Sequence, residues 1–249
     1  MAVERCATGI LGFDELVEGG FPTGSVILLA GPPGSLKTIF GLEYIYNGAS
    51  KFNEPSVFVS FQQTPEELKK QAVMFDWDFN PLEERGIVRM VEIDVLKDNH
   101  PIDQIKKLVD EINAKRLVID TVSTLMNRLP LTEHGVGSHK LVELMDSIVP
   151  VPLPLNAVER EQLIILLKDV KSLGCTSILT YEADKADASH QVIEFLADGV
   201  IKLNVLAIGS RTITVEKMRY TKIDPISRSI SIDEKGISVG QSIKGRSLF

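Results

Sequence analysis

The octet Gly31-Pro32-Pro33-Gly34-Ser35-Leu36-Lys37-Thr38 stands between a short apolar run, Ser25 to Ala30, and a helix-like segment that begins at Lys37. It matches G-x-x-x-x-G-K-[ST] at every fixed letter but one, because Leu36 occupies the place of the second glycine. A loop of this pattern holds phosphates on inward-pointing backbone N–H groups, with the Lys on the terminal phosphates and the hydroxyl on magnesium. The strand-loop-helix context favours that reading over a plain Gly-Pro-Pro-Gly turn. A leucine at a position needing positive φ costs about 1–2 kcal/mol, so binding is expected to be weakened rather than lost.

With 249 residues, 44% hydrophobic and 24% charged, the chain is expected to form one α/β domain over residues 1–249. Its apolar runs, such as Leu163 to Leu167, fall well short of the ~20 residues that span a bilayer. The N-terminus has no signal-peptide core, so the expected location is cytoplasmic. Cys6 and Cys175 form no C-x-x-C pair and read as reduced packing residues. His100, His134, His139 and His190 have no metal-ligand spacing, so magnesium arriving with nucleotide is the only metal expected. A net charge of −7 argues against a large nucleic-acid footprint, leaving only a local basic patch formed on assembly for that purpose.

The apolar stretches 57–59, 87–91, 117–119 and 177–179 read as buried parallel strands, separated by helical patterns over 65–75 and 102–114. Alternation of this kind predicts a mostly parallel twisted sheet with helices on both faces. After Asp198 the texture changes to alternating strands at 200–203, 212–217 and 230–232, an antiparallel β meander that completes the sheet. An irregular excursion at about 127–156 carries Pro150-Val151-Pro152-Leu153-Pro154, either a rigid connector or a surface for a partner. Trp77 and Phe79 are expected to pack a helix end rather than stack on bases.

Leu117-Val118-Ile119-Asp120 ends a strand in an acid at its carboxyl edge, where open α/β sheets bind ligands. Asp120 is therefore the candidate magnesium-side carboxylate, joined by Thr38. The run Ala7 to Leu16, then Gly19 to Ser25, Val59 to Leu68, Ile119-Asp120-Thr121, Ala197 to Ile201 and Val215 to Arg219 resembles the KaiC-like ATPases of the RecA superfamily in the same order. The resemblance implies a RecA-like P-loop NTPase core, ATP (or ADP) with magnesium as ligands, and a homo-oligomer such as a hexameric ring. It leaves the protein partner unnamed.

Two departures fall on the chemistry. The family places Glu-Glu after the second core strand, where an acid polarises the attacking water, and this chain has Gln62-Gln63. Glutamine can orient a water but is no useful base at neutral pH, a loss worth about 10²- to 10⁴-fold in rate. Gln62 and Gln63 can equally be polar residues that close a strand. Lys217 and Arg219 match the Lys-x-Arg that the family directs at the γ-phosphate of the neighbouring subunit, although solvated strand charges would look the same. Tyr220 stands where the family has glycine after the Arg, which puts the local turn in question. The expected function is that of a nucleotide-binding switch module with weak or absent hydrolysis. The alternatives are an active, recombinase-related ATPase on single-stranded DNA, or a scaffold paralogue without nucleotide.

Overall fold

Residues along the strand Val26–Gly31 (β3) alternate between two apolar layers, Ile27 and Leu29 on one face and Val26, Leu28 and Ala30 on the other, which marks a strand covered on both sides. The computed structural model describes residues 3–94, 97, 100–126, 157–182, 188–206 and 209–242. Five further strands, Ser56–Ser60 (β4), Val88–Glu92 (β5), Arg116–Asp120 (β6), Thr176–Glu182 (β7) and Gly199–Val205 (β8), run parallel to β3. Arg211–Met218 (β9), Arg228–Asp233 (β10) and Gly236–Ser242 (β11) follow antiparallel. The order across the nine-stranded sheet is β11-β10-β9-β8-β3-β7-β6-β4-β5. The expected mostly parallel sheet with an antiparallel C-terminal meander is thus present, with β11 added beyond the strands read from the pattern. Two-residue strands Arg5–Cys6 (β1) and Phe21–Pro22 (β2) form a separate small ladder. The excursion at 127–156, including its proline run, His134 and His139, lies outside the described residues.

One face of the sheet carries Lys37–Lys51 (α1), Pro65–Val73 (α2) and Asn80–Glu84 (α3). The other carries Pro101–Ile112 (α4), Val122–Met126 (α5), Ala157–Ser172 (α6) and Ala188–Leu196 (α7). Thr64 caps α2 through a reciprocal capping box with Glu67, followed by Pro65 in the first turn, so this boundary is set locally. Trp77 and Phe79 are buried against Tyr46 of α1, as expected of packing residues. Cys6 and Cys175 are buried free thiols. No described helix is long and apolar enough to cross a membrane.

Arg116, fully buried at the start of β6, ties three segments together. Its Nε donates to Glu54 at 2.6 Å, and its terminal nitrogens donate to the carbonyls of Tyr44 at 2.9 Å and Ala7 at 2.7 Å. Gly48 makes room for it, since a Cβ there would lie 2.4 Å from Arg116 Cδ.

A buried ionisable group, Glu43, links α1 to the C-terminal hairpin. Glu43 accepts the N–H of Ile237 at 2.8 Å, and burial pushes its carboxyl from 4.5 up to about 7 against the opposing pull of that N–H, Lys51 and Asn47, with Asp233 adding to the rise. Because the folded-state value is the higher one, the stability it contributes is complete below about 4.5 and is lost as pH rises toward 7. At about 1.4 kcal/mol per unit this amounts to about 3 kcal/mol. Glu43→Gln is expected to remove that slope. The difference in unfolding free energy between wild type and variant, followed by urea titration from pH 4.5 to 7, should change by a few kcal/mol, in favour of the variant as pH rises.

Candidate functional site

The octet leaves the carboxyl edge of β3 and turns into α1, as its spacing predicts. Gly34 has φ +75°, and Leu36 has φ 77° and ψ 20°, so the leucine holds the left-handed conformation that glycine would adopt freely. Its side chain packs against the apolar layer under α1, and that contact offsets part of the backbone strain. The isobutyl group is therefore accommodated by the core.

Lys37 is buried, and its Nζ donates to the carbonyls of Gly31 at 2.8 Å and Pro32 at 2.9 Å. Burial lowers its pKa, opposed by the negative charges of Glu182 and Asp120. Pro33 is exposed and Pro32 half-buried. Ser35 Oγ is buried and finds no hydrogen-bond partner among the described residues. An orphaned hydroxyl inside a loop of this shape fits a ligand that brings its own acceptor atoms.

Thr38 Oγ1 donates to Asp120 Oδ2 at 2.8 Å, and Thr180 Oγ1 donates to Asp120 Oδ1. The two candidate magnesium ligands thus lie together, and Asp120 is only 8% exposed. Hydroxyl and carboxylate oxygens are the hard donors that magnesium takes alongside phosphate oxygens, so the residues fit MgATP. Thr180 comes from β7, between the strands of the loop and of Asp120, and nothing in its sequence surroundings marks it.

Gln62 and Gln63 follow β4, next to β6. Both backbone N–H groups bond Ser60 Oγ, at 3.2 and 2.9 Å, and Gln62 Nε2 donates to Thr124 Oγ1 at 2.7 Å. The pair therefore sits at the same sheet edge as Asp120. Sequence reasoning missed Arg211, whose Nε donates to the Gly34 carbonyl at 2.9 Å from the start of β9. It also missed Glu182, which ends β7 in register with Gly31 and acts on Lys37 electrostatically.

Lys217 and Arg219 lie at the opposite edge. β9 is antiparallel to β8, and Arg219 N–H bonds Asp198 O beside Val26, five residues before Gly31. At about 3.3 Å per residue that is roughly 16 Å of strand. The two cations line one cleft of about 520 Å³ with Glu194 and Phe195. Tyr220 takes φ 59°, so the turn survives without glycine, and Arg5 holds it through the Tyr220 carbonyl at 2.9 Å.

The KaiC ATPase family model matches residues 6–148 and 128–244. The chain belongs to this family. A UPF0273 protein of Methanopyrus kandleri is 30% identical over 96% of this chain and 93% of its own length. The circadian clock protein KaiC2 of Synechocystis is 29% identical over 96% of this chain, which spans 40% of that longer protein. Among solved structures, a KaiC-like protein of the hyperthermophilic archaeon Pyrococcus horikoshii superposes with TM-score 0.79 and 33% identity, covering 96% of this chain and 100% of that one. Membership in a KaiC ATPase family supports nucleotide binding here.

Removing the Thr180 hydroxyl should loosen Asp120 without touching the loop. Thr180→Val is expected to weaken nucleotide affinity about tenfold with magnesium and little without it, since a hydrogen bond to a charged group is worth about 1.5 kcal/mol. Isothermal titration with ADP in magnesium and then in chelator provides the check.

Proposed function

We propose that this KaiC-like chain binds ATP or ADP with magnesium, hydrolyses ATP slowly, and uses occupancy of the site to govern its assembly with further copies of itself. Gly31 to Thr38 would cradle the phosphates, Lys37 would exchange its two carbonyl partners for phosphate oxygens, and Thr38 with Asp120 would face the metal. Bound MgATP supplies the activated terminal phosphate and a divalent charge; everything else depends on the side chains around it.

The observation that carries the slow-hydrolysis reading is Gln62. Its amide nitrogen is engaged with Thr124, which leaves the carbonyl oxygen to accept from a water. That oxygen orients a nucleophile and takes up no proton at neutral pH. A site with phosphate and magnesium groups intact beside such a residue retains binding and loses rate. The distance between loop and Lys-x-Arg pair supports assembly. Arg219 stands roughly 16 Å of strand from Gly31 and Lys217 is turned onto the carbonyls of Glu194 and Phe195, an arrangement that suits contact with the nucleotide of a neighbouring copy.

Restoring the acids tests the reading. Leu36→Gly combined with Gln62→Glu and Gln63→Glu should raise phosphate release about 10²-fold or more over wild type. Lys37→Ala should remove both that gain and the thermal shift produced by MgATP. Rapid turnover by the unaltered chain would overturn the slow-hydrolysis reading, and an unchanged melting temperature in saturating MgATP would overturn binding.

A further inference from the structure

Asp198, in the run Ala197-Asp198-Gly199-Val200-Ile201, is 5% exposed and its carboxylate is surrounded by donors. Oδ2 accepts the N–H of Val26 at 3.1 Å, Lys171 Nζ reaches both oxygens at 2.8 and 2.9 Å, and Arg219 NH1 reaches Oδ1 at 2.9 Å. The backbone joins in, with Arg219 N–H on Asp198 O at 2.8 Å. Four and three residues earlier, the carbonyls of Glu194 and Phe195 at the end of α7 accept Lys217 Nζ at 2.9 and 2.8 Å. One short segment, 194–198, therefore holds both cations of the Lys-x-Arg pair.

The charges explain why two cations meet one carboxylate. An Arg paired with a lone Asp is fixed but neutralised, and a neutral pair attracts phosphate poorly. Lys171 supplies the compensating charge, so Asp198 can hold Arg219 while the cluster of Lys171, Arg219 and Asp198 stays net positive. Lys217 adds a further positive charge, anchored on neutral carbonyls at a helix C-terminus. The carboxylate of Glu194, which also lines the cleft, is bound to Lys202, and Lys202 is shared with Glu216. Burial first, and the Arg219 charge next, lower the Lys217 pKa, a condition that an arriving anion relieves.

We propose that Asp198, backed by Lys171, is the positioning residue that holds Arg219 beside the carbonyl-anchored Lys217, so that the two form a preformed cationic fork for the terminal phosphate of a nucleotide held by a neighbouring copy. This rests on the reading that the pair acts between copies. Preorganisation of this kind spares the ordering of two long side chains at the moment of contact.

The test is MgATP-dependent assembly of the full chain, measured by sedimentation and native mass spectrometry. Asp198→Asn keeps an acceptor for Val26 N–H and removes the charge. It is expected to raise the protein concentration needed for assembly roughly tenfold, the scale of one charge-assisted hydrogen bond, while nucleotide affinity stays within about twofold. Lys171→Met, which leaves the Val26 contact in place, is expected to act in the same direction and carries the test if the Asn variant does not fold. Direction separates positioning from general damage. Asp198→Asn chains mixed with Lys37→Ala chains should recover part of the ATP response, because one supplies the loop and the other the fork; mixed with Arg219→Ala chains they should recover none. Assembly of both variants like wild type, or no recovery with Lys37→Ala, overturns the positioning role. If wild type and Arg219→Ala assemble alike in MgATP, the action between copies fails instead, and Asp198 with it.

Discussion

A carboxylate at the end of a strand buried along its whole length has to find hydrogen-bond donors or lose its charge, and Asp120 finds them on two neighbouring elements. Thr38 reaches it from the first turn of α1 and Thr180 from β7. That small network fixes the start of the α1 helix over the sheet, sets the height of the phosphate loop relative to β6, and brings hydroxyl and carboxylate oxygens to one point. The Gln pair and Glu182 gain their meaning from being at the same edge.

The KaiC-like resemblance implies glycine where Leu36 stands and glutamates where Gln62-Gln63 stand, and the two positions differ in kind. Leu36 and Tyr220 keep the left-handed backbone despite their Cβ atoms, because leucine rests on the core and the Tyr220 carbonyl is held by Arg5. Geometry is preserved at a modest cost in strain. The glutamines preserve shape as well, yet no packing can give an amide the basicity of a carboxylate.

Much of the architecture was legible because parallel strands covered on both faces appear as apolar runs; those at 57–59, 117–119 and 177–179 lie within observed strands, and the run at 87–91 begins one residue before Val88–Glu92. The small β1-β2 ladder was not legible, since two residues carry no periodicity. Neither was β11, where glycine and serine interrupt the alternation. The loop and Asp120 were legible through motif and strand context. Arg211, Thr180 and Glu182 were not, because each reaches the site across a strand boundary that no local pattern encodes.

The order of residues by itself determined a phosphate-loop pattern, an acid at the end of a buried strand, a pair of glutamines after another and membership of a KaiC-like fold, all properties of contiguous segments whose local chemistry is set by neighbours in the chain. Only the tertiary structure decided that Lys217 and Arg219 stand at the far edge from the loop, with Arg219 on the Asp198 carboxylate and Lys217 on the carbonyls of Glu194 and Phe195. Strand order and antiparallel return govern that placement, and they follow from burying two apolar layers at once rather than from any single stretch of sequence.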